Sequence, residues 1–407
     1  MIGLGDIQAA RRRLADLIYL SPCAYSETLS SLTATRCHVK LENLQMTGSF
    51  KERGAANKLL ALAPEERARG VIAASAGNHG LAVAFHAGRL GIRATIVLPE
   101  WAPLVKVTSA RRHGARVVLT GANYDEAFAH ALKLKAEEGL TFIHPFNDPL
   151  VIAGQGTIGL ELLQQEPDLD AVVVPVGGGG LIGGVAAAVK ETRPGVQVFG
   201  VQAQALAAMR RSLEAGEIVS LPSAPTIADG IAVRRVGELT FDLCRRYVDD
   251  LVTVDEEEIA NAILLLLEIE KTVVEGAGAT TLAALINKRL PLAGKKVALI
   301  LSGGNIDVNI ISRVIERGLV KDGRLVRLVV QLVDRPGALA KLSALVAQHR
   351  ANILQINHHR AFSRAPIGET EVELTLETSG REQIEEIIAG LRAAGYRVEE
   401  LRPTLSL

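Results

Sequence analysis

Hydrophobic positions between residues 71 and 305 follow two alternating patterns. Short apolar runs rich in Val, Ile and Ala occupy residues 71–74, 94–98, 116–119, 171–176, 196–201 and 296–301. Longer Ala-, Leu- and Glu-rich stretches, such as residues 78–90 and 124–138, lie between them. A strand that is apolar at every position is buried on both faces, and parallel strands need long crossovers. The alternation therefore predicts an α/β fold with a mostly parallel sheet covered by helices. Residues 1–320 read as one such unit of two lobes, the smaller over residues 45–150. The pattern changes near Lys321-Asp322-Gly323, which reads as a polar linker. Beyond it the expected order is a strand (324–333), a helix (337–349), strands (351–360 and 369–376), a helix (381–393) and a strand (397–401). That βαββαβ order is the ferredoxin-like arrangement, placing a second domain over residues 325–407.

Composition narrows the function classes. The 407 residues are 48% hydrophobic, ample for a large core and incompatible with a disordered chain. The 45 Lys and Arg balance the 45 Asp and Glu, which removes any whole-chain electrostatic reason for a nucleic-acid partner. Cys23, Cys37 and Cys244 form no CxxC or metal-type spacing, as expected in a reducing compartment without a disulfide framework. Residues 1–20 lack the apolar core of a signal peptide, and no charge-free run of ~18 apolar residues occurs. The expectation is a soluble, cytoplasmic protein with no membrane partner.

Three small polar loops follow three of the predicted strands. Gly177-Gly178-Gly179-Gly180 lies between strand 171–176 and an Ala-rich helix, where several N–H groups and a helix N-terminus would converge on a phosphate. Four consecutive glycines exceed what packing a tight turn is expected to require. Gly178, Gly180 and Gly183 also match the dinucleotide fingerprint, but the next strand ends in Gln202 where the fingerprint needs an acid to hold a ribose. A mononucleotide-like phosphate is the better reading. Ser75-Ala76-Gly77-Asn78-His79-Gly80 and Ser302-Gly303-Gly304-Asn305 occupy equivalent places, and the three together predict one crevice at the carboxyl ends of a parallel sheet. Ser49 and Glu52 have capping-box spacing, so a helix is expected over residues 52–62 with Lys51 in its first turn. The positive helix end disfavours an ammonium there. A dry site would leave a neutral amine suited to Schiff-base chemistry.

With these motifs in order, Thr47-Gly48-Ser49-Phe50-Lys51-Glu52-Arg53-Gly54 resembles the lysine motif of the fold-type II pyridoxal phosphate enzymes. The three loops, Pro145 with Asn147, and the segment from Ile152 to Thr157 are similar to the same family. Within it the nearest likeness is to the threonine dehydratases, or threonine ammonia-lyases. The segment Asp334-Arg335-Pro336-Gly337-Ala338-Leu339, at the first strand–helix turn of the last domain, resembles an ACT regulatory domain.

The resemblance implies a tryptophan-synthase-β-like catalytic domain, pyridoxal 5'-phosphate as cofactor, and deamination of L-threonine to 2-oxobutanoate and ammonia, with L-serine giving pyruvate. It implies that Lys51 bonds the cofactor and moves the substrate Cα proton, that Phe50 packs on the pyridine ring, and that Asn78 meets the phenolic oxygen. The N–H groups of Gly177, Gly178, Gly179, Gly180 and Leu181 would hold the phosphate. Ser75, Asn78 and His79 would grip the substrate carboxylate, and Ser302 would face the pyridine nitrogen. A hydroxyl there cannot keep that nitrogen protonated as a carboxylate would, which weakens the electron sink and favours loss of the β-hydroxyl over transamination.

Departures separate the relatives. Serine racemases carry a second serine where this chain has Ala76, and they tend to bind a divalent metal through acids after the strand that here ends in Gln202; residues 202–209 contain none, so no metal site is expected. Glu275 stands either near the cofactor or as a helix cap. The ACT resemblance implies a homo-oligomer, dimer or tetramer, whose activity answers to isoleucine or valine. Rival readings are a racemase or β-replacing synthase of the same fold, and a non-catalytic amino-acid sensor. The sequence does not decide between isoleucine synthesis and threonine breakdown, although one ACT-like unit rather than two leans toward the shorter, often catabolic-type enzymes.

Overall fold

The computed structural model describes residues 2–359 and 365–401, leaving aside the Val105 side chain; Arg360, the expected end of one strand, lies outside them. The chain divides into two units, Met1–Asp307 and Val308–Leu407.

The strands of the first unit, in chain order, are β1 (Cys23–Tyr25), β2 (Arg36–Lys40), β3 (Val71–Ala74), β4 (Ala94–Leu98), β5 (Arg116–Leu119), β6 (Thr141–Phe142), β7 (Ala171–Pro175), β8 (Gln197–Ala203), β9 (Asp250–Val254) and β10 (Lys296–Ile300). They form two sheets. One has the order β1-β2-β10-β7-β8-β9, parallel except for the β1–β2 edge, and the other is the parallel β5-β4-β3-β6. Every residue of β3, β4 and β7 is buried, as their unbroken apolar runs require. The three glycine-containing loops leave the carboxyl ends of β3, in the four-stranded sheet, and of β7 and β10, in the six-stranded one, so the crevice expected at one sheet draws on two.

The helix Tyr124–Glu138 has the expected ends, set by Asn123, whose side chain accepts from Glu126 N–H, and by Gly139 in the left-handed region. Strand β8 runs two residues past the expected end, so Gln202 lies within it. Strand β9 and the N-terminal helix Leu4–Leu14 were not anticipated. Strand β9 is an edge whose exposed and buried positions mix, so it lacks the continuous apolar run of a central strand.

In the second unit the helix Val308–Lys321 precedes β11 (Leu325–Val333), β12 (Asn352–His359), β13 (Glu369–Glu377) and β14 (Arg397–Glu400). The supposed linker thus begins as helix. The sheet order β12-β13-β11-β14 is antiparallel throughout, with helices Ala338–Gln348 and Arg381–Ala393 completing the expected βαββαβ arrangement. Alternation along β11 and β13 sends Leu328, Val330, Leu374 and Leu376 into a core with Leu342, Ile384 and Leu391. Among the described residues no helix is long and apolar enough to cross a membrane.

Candidate active site

Lys51 opens the helix Lys51–Leu60, and the loop before it is stitched to the turn after β10. Phe50 N–H donates to Ser302 O at 3.0 Å, Gly304 N–H donates to Gly48 O at 2.9 Å, and Ser49 bridges Gly303. The expected capping box does not form. Ser49 Oγ is buried without a hydrogen-bond partner, while the Glu52 carboxylate accepts from Thr47 N–H and meets His86. The two partners outside the helix claim both carboxylate oxygens.

The half-buried Lys51 amine donates to Pro145 O at 2.9 Å. Burial pulls it down from the ordinary lysine value to about 8, with the Glu275 carboxylate opposing. Phe146, the next residue along, lies against the tetraglycine loop. A Cβ on Gly178 would stand 2.4 Å from its ring, and one on Gly180 would stand 2.9 Å from its Cα. Gly179 has φ +91°, and a Cβ there would meet Met209 Cε at 2.5 Å; one on Gly177 would meet Ile231 Cα at 3.0 Å. Close contacts at Gly178 and Gly180 and the positive φ of Gly179 thus require glycine at these three positions, so packing shares in the tetraglycine signal, while Gly177 is tightly enclosed. The ligand signal lies elsewhere. Among the described residues no protein acceptor meets the N–H groups of Gly177, Gly178, Gly179, Gly180 or Leu181, gathered at the start of the helix Gly180–Thr192.

A polar chain links the other two loops. Asn305 Nδ2 donates to Thr47 O at 2.7 Å and to Asn78 Oδ1 at 2.8 Å. Asn78 Nδ2 in turn lies 2.9 Å from both Glu275 oxygens, and Glu275 N–H donates to Gly303 O at 2.9 Å. Glu275 precedes the helix Gly276–Ile286 but makes no side-chain cap bond, so its carboxylate belongs to the crevice. Burial pushes it up to about 7, opposed by the Asn78 bond. A Cβ on Gly303 would come within 2.6 Å of Glu275 Oε1.

The crevice thus collects Phe50, Lys51, Asn78, the tetraglycine loop and Ser302. Ser75 is on its rim, where Oγ accepts from Gly77 N–H at 3.2 Å. The His79 imidazole turns away: its Nε2 donates to Ile143 O at 2.8 Å, and burial lowers its titration to about 3. A neutral ring used in this way offers no donor to a carboxylate, so what His79 presents at the helix start is its backbone N–H. Gln202 is fully buried, donating to Val176 O at 3.2 Å and accepting from Arg210 N–H at 2.8 Å.

These groups fit pyridoxal phosphate: unclaimed N–H donors at a helix N-terminus suit its phosphate, and an amine held low suits its aldehyde. One consequence is measurable. Only the neutral amine attacks an aldehyde, so the rate at which apoprotein takes up pyridoxal phosphate is expected to rise with pH to about 8 and then level off. An ordinary lysine would keep climbing toward about 10.4. Absorbance stopped-flow across this range distinguishes the two.

The model of the family described as "Pyridoxal-phosphate dependent enzyme" matches residues 14–303. The chain belongs to the pyridoxal-phosphate dependent enzymes. Its cofactor is therefore pyridoxal 5'-phosphate, and an ACT domain model matches residues 322–396 of this pyridoxal-phosphate dependent enzyme. The chain is 52% identical over 398 residues to the L-threonine ammonia-lyase of Thermotoga maritima, covering 98% of this chain and 99% of that one. It is 50% identical over 396 residues to the L-threonine ammonia-lyase of Geobacter sulfurreducens, covering 97% and 98%. Among solved structures, the processed form of threonine deaminase isoform 2 from Solanum lycopersicum is 40% identical with a TM-score of 0.74, over 77% of this chain and 86% of that one.

Glu275 is the site residue that sequence reasoning left undecided. Its partner Asn78 is 197 positions away, so local capping signals carried no trace of the contact.

Proposed function

We infer that the protein deaminates L-threonine to 2-oxobutanoate and ammonia, and L-serine to pyruvate, as a soluble cytoplasmic enzyme. The observation that carries the chemistry is a lysine held at about 8 beside a crevice with unclaimed glycine N–H groups. The likeness to L-threonine ammonia-lyases over almost the whole chain supports the substrate.

Pyridoxal phosphate, when bound, supplies the electron sink that acidifies the substrate Cα–H. In this reading the N–H groups from Gly177 to Leu181 hold the phosphate, Phe50 packs on the ring, Ser302 faces the ring nitrogen and Asn78 donates to the phenolic oxygen. Ser75, Asn78 and the backbone of His79 orient the substrate carboxylate. Lys51 Nζ accepts the Cα proton, and the β-hydroxyl leaves with a proton as water. A water molecule returns to release ammonia and leave the keto acid. Ala76 offers no proton from the opposite face, so racemisation is slow. The catalytic domain is assigned to residues 1–320, with a smaller lobe over 45–150. A regulatory domain over 325–407 would bind isoleucine or valine within a dimer or tetramer.

The test supplies threonine and serine separately and measures keto acid and D-serine, with and without each effector. Keto acid from both substrates with little D-serine is the expected result, and an effector should shift the rate or the apparent affinity. Abundant D-serine without keto acid would overturn the reading in favour of a racemase.

A further inference from the structure

Glu52 is fully buried beside the reactive lysine, and its two oxygens serve two different pieces of chain. One accepts from Thr47 N–H, at the start of the loop that delivers Phe50 and Lys51. The other lies 3.2 Å from His86 Nε2, and His86 is fully buried too. His86 belongs to the helix Asn78–Arg89, whose first residues are Asn78 and His79. Its Nδ1 is buried without a hydrogen-bond partner, so Glu52 is the polar anchor of that ring.

We propose that Glu52 is a positioning residue: its carboxylate clamps the loop before Lys51 and the helix that begins with Asn78, and so sets the lysine amine against the asparagine amide. The inference rests on the reading that Lys51 and Asn78 serve one cofactor. The physical case is direct. Lys51 and Glu52 are consecutive, so a displacement of Glu52 carries the reactive amine with it. Asn78 and His86 ride on one rigid helix, so a pull on His86 is transmitted to the helix start. A carboxylate in the first turn of the helix Lys51–Leu60 is also favoured by the helix dipole, and hydrogen bonds to an ionised acceptor are shorter and stronger than neutral ones. Clamps of this kind matter because misplacement by about 1 Å can cost about 100-fold in rate.

The experiment uses full-length holoenzyme at saturating pyridoxal phosphate and compares Glu52→Ala with Glu52→Gln. It reads kcat and KM for threonine and the visible circular dichroism of the bound cofactor. Glu52→Ala is expected to lose about 10- to 100-fold in kcat with little change in KM, and its visible dichroic band should weaken. Glu52→Gln should recover most of both, because its carboxamide oxygen still accepts from Thr47 N–H and its amide can donate to His86 Nε2 in the other ring tautomer. Wild-type kcat and an unchanged band in Glu52→Ala would overturn the proposal, as would a loss confined to thermal stability. If Glu52→Ala fails to fold, His86→Leu removes one arm of the clamp and is read by the same two measurements. A wild-type protein that makes no keto acid from threonine would count against the proposed function instead, and the dichroic band would still report on the clamp.

Discussion

Lys51→Ala protein is expected to make 2-oxobutanoate from threonine about a thousandfold more slowly than wild type, or slower still. Two losses combine. The amine held at about 8 is the group placed to bond the cofactor, and a positioned proton-transfer group alone is worth about 10²- to 10⁴-fold. Burial explains why this lysine and not another serves. Its Nζ donates to a backbone carbonyl, Pro145 O, rather than to a carboxylate, and the Glu275 charge only partly offsets the cost of burying the charged form. Borohydride should fix the cofactor to wild-type protein and leave the variant unlabelled. Keto-acid production at the wild-type rate in Lys51→Ala would refute the assignment.

The second large effect concerns stability. Arg53, two residues beyond the lysine, is buried between two carboxylates. Its Nε and Nη2 donate to Glu42 at 2.8 Å each, and Nη1 and Nη2 donate to Glu161 at 2.6 and 2.8 Å. Lys40, also fully buried, donates to Glu161 at 2.7 Å. Burial alone would raise the Glu42 carboxyl, but Arg53 and Lys40 outweigh it and hold the group below its ordinary value. Arg53→Met keeps the volume and removes the charge, stranding Glu42 in the interior. The expected loss is about 3–5 kcal/mol, read as a lower urea midpoint for the first unit. The pH dependence has a definite sign. A carboxyl depressed by folding stabilises the native state above its unfolded value and loses that contribution as pH falls through the folded one. The wild-type advantage over Arg53→Met should therefore be full at neutral pH and shrink in acid. Equal urea midpoints at neutral pH would show that the network contributes nothing net.

Much of this was legible in the sequence because it was written in local patterns. The continuous apolar runs of β3, β4 and β7 marked strands buried on both faces, and the helix Arg381–Ala393 was bounded by its own periodicity. What escaped was set by partners far along the chain. The Ser49–Glu52 spacing looked like a cap, yet Thr47 N–H and the distant His86 claimed the carboxylate. The tetraglycine loop was read as a ligand signal. Its glycines also answer to Phe146, Met209 and Ile231, none of which is near in sequence. His79 fell within a motif that pointed at substrate, but the carbonyl of Ile143 turned its ring inward. Gln202, noted for what it was not, ties β8 to the helix Ala208–Ala215 through Arg210 N–H.

The stitching of Gly48 and Phe50 to Ser302 and Gly304 bears on how the protein is made. Chains emerge from the ribosome at roughly 5–20 residues per second, and domains fold as units. The lysine loop leaves early, but the strand and turn that hold it come from the last stretch of the first unit. A nascent chain shorter than the Ser302–Asn305 turn therefore carries its reactive amine without the backbone that orients it. Capture of the coenzyme during translation should begin only when that turn has cleared the exit tunnel, while the second unit is still being synthesised.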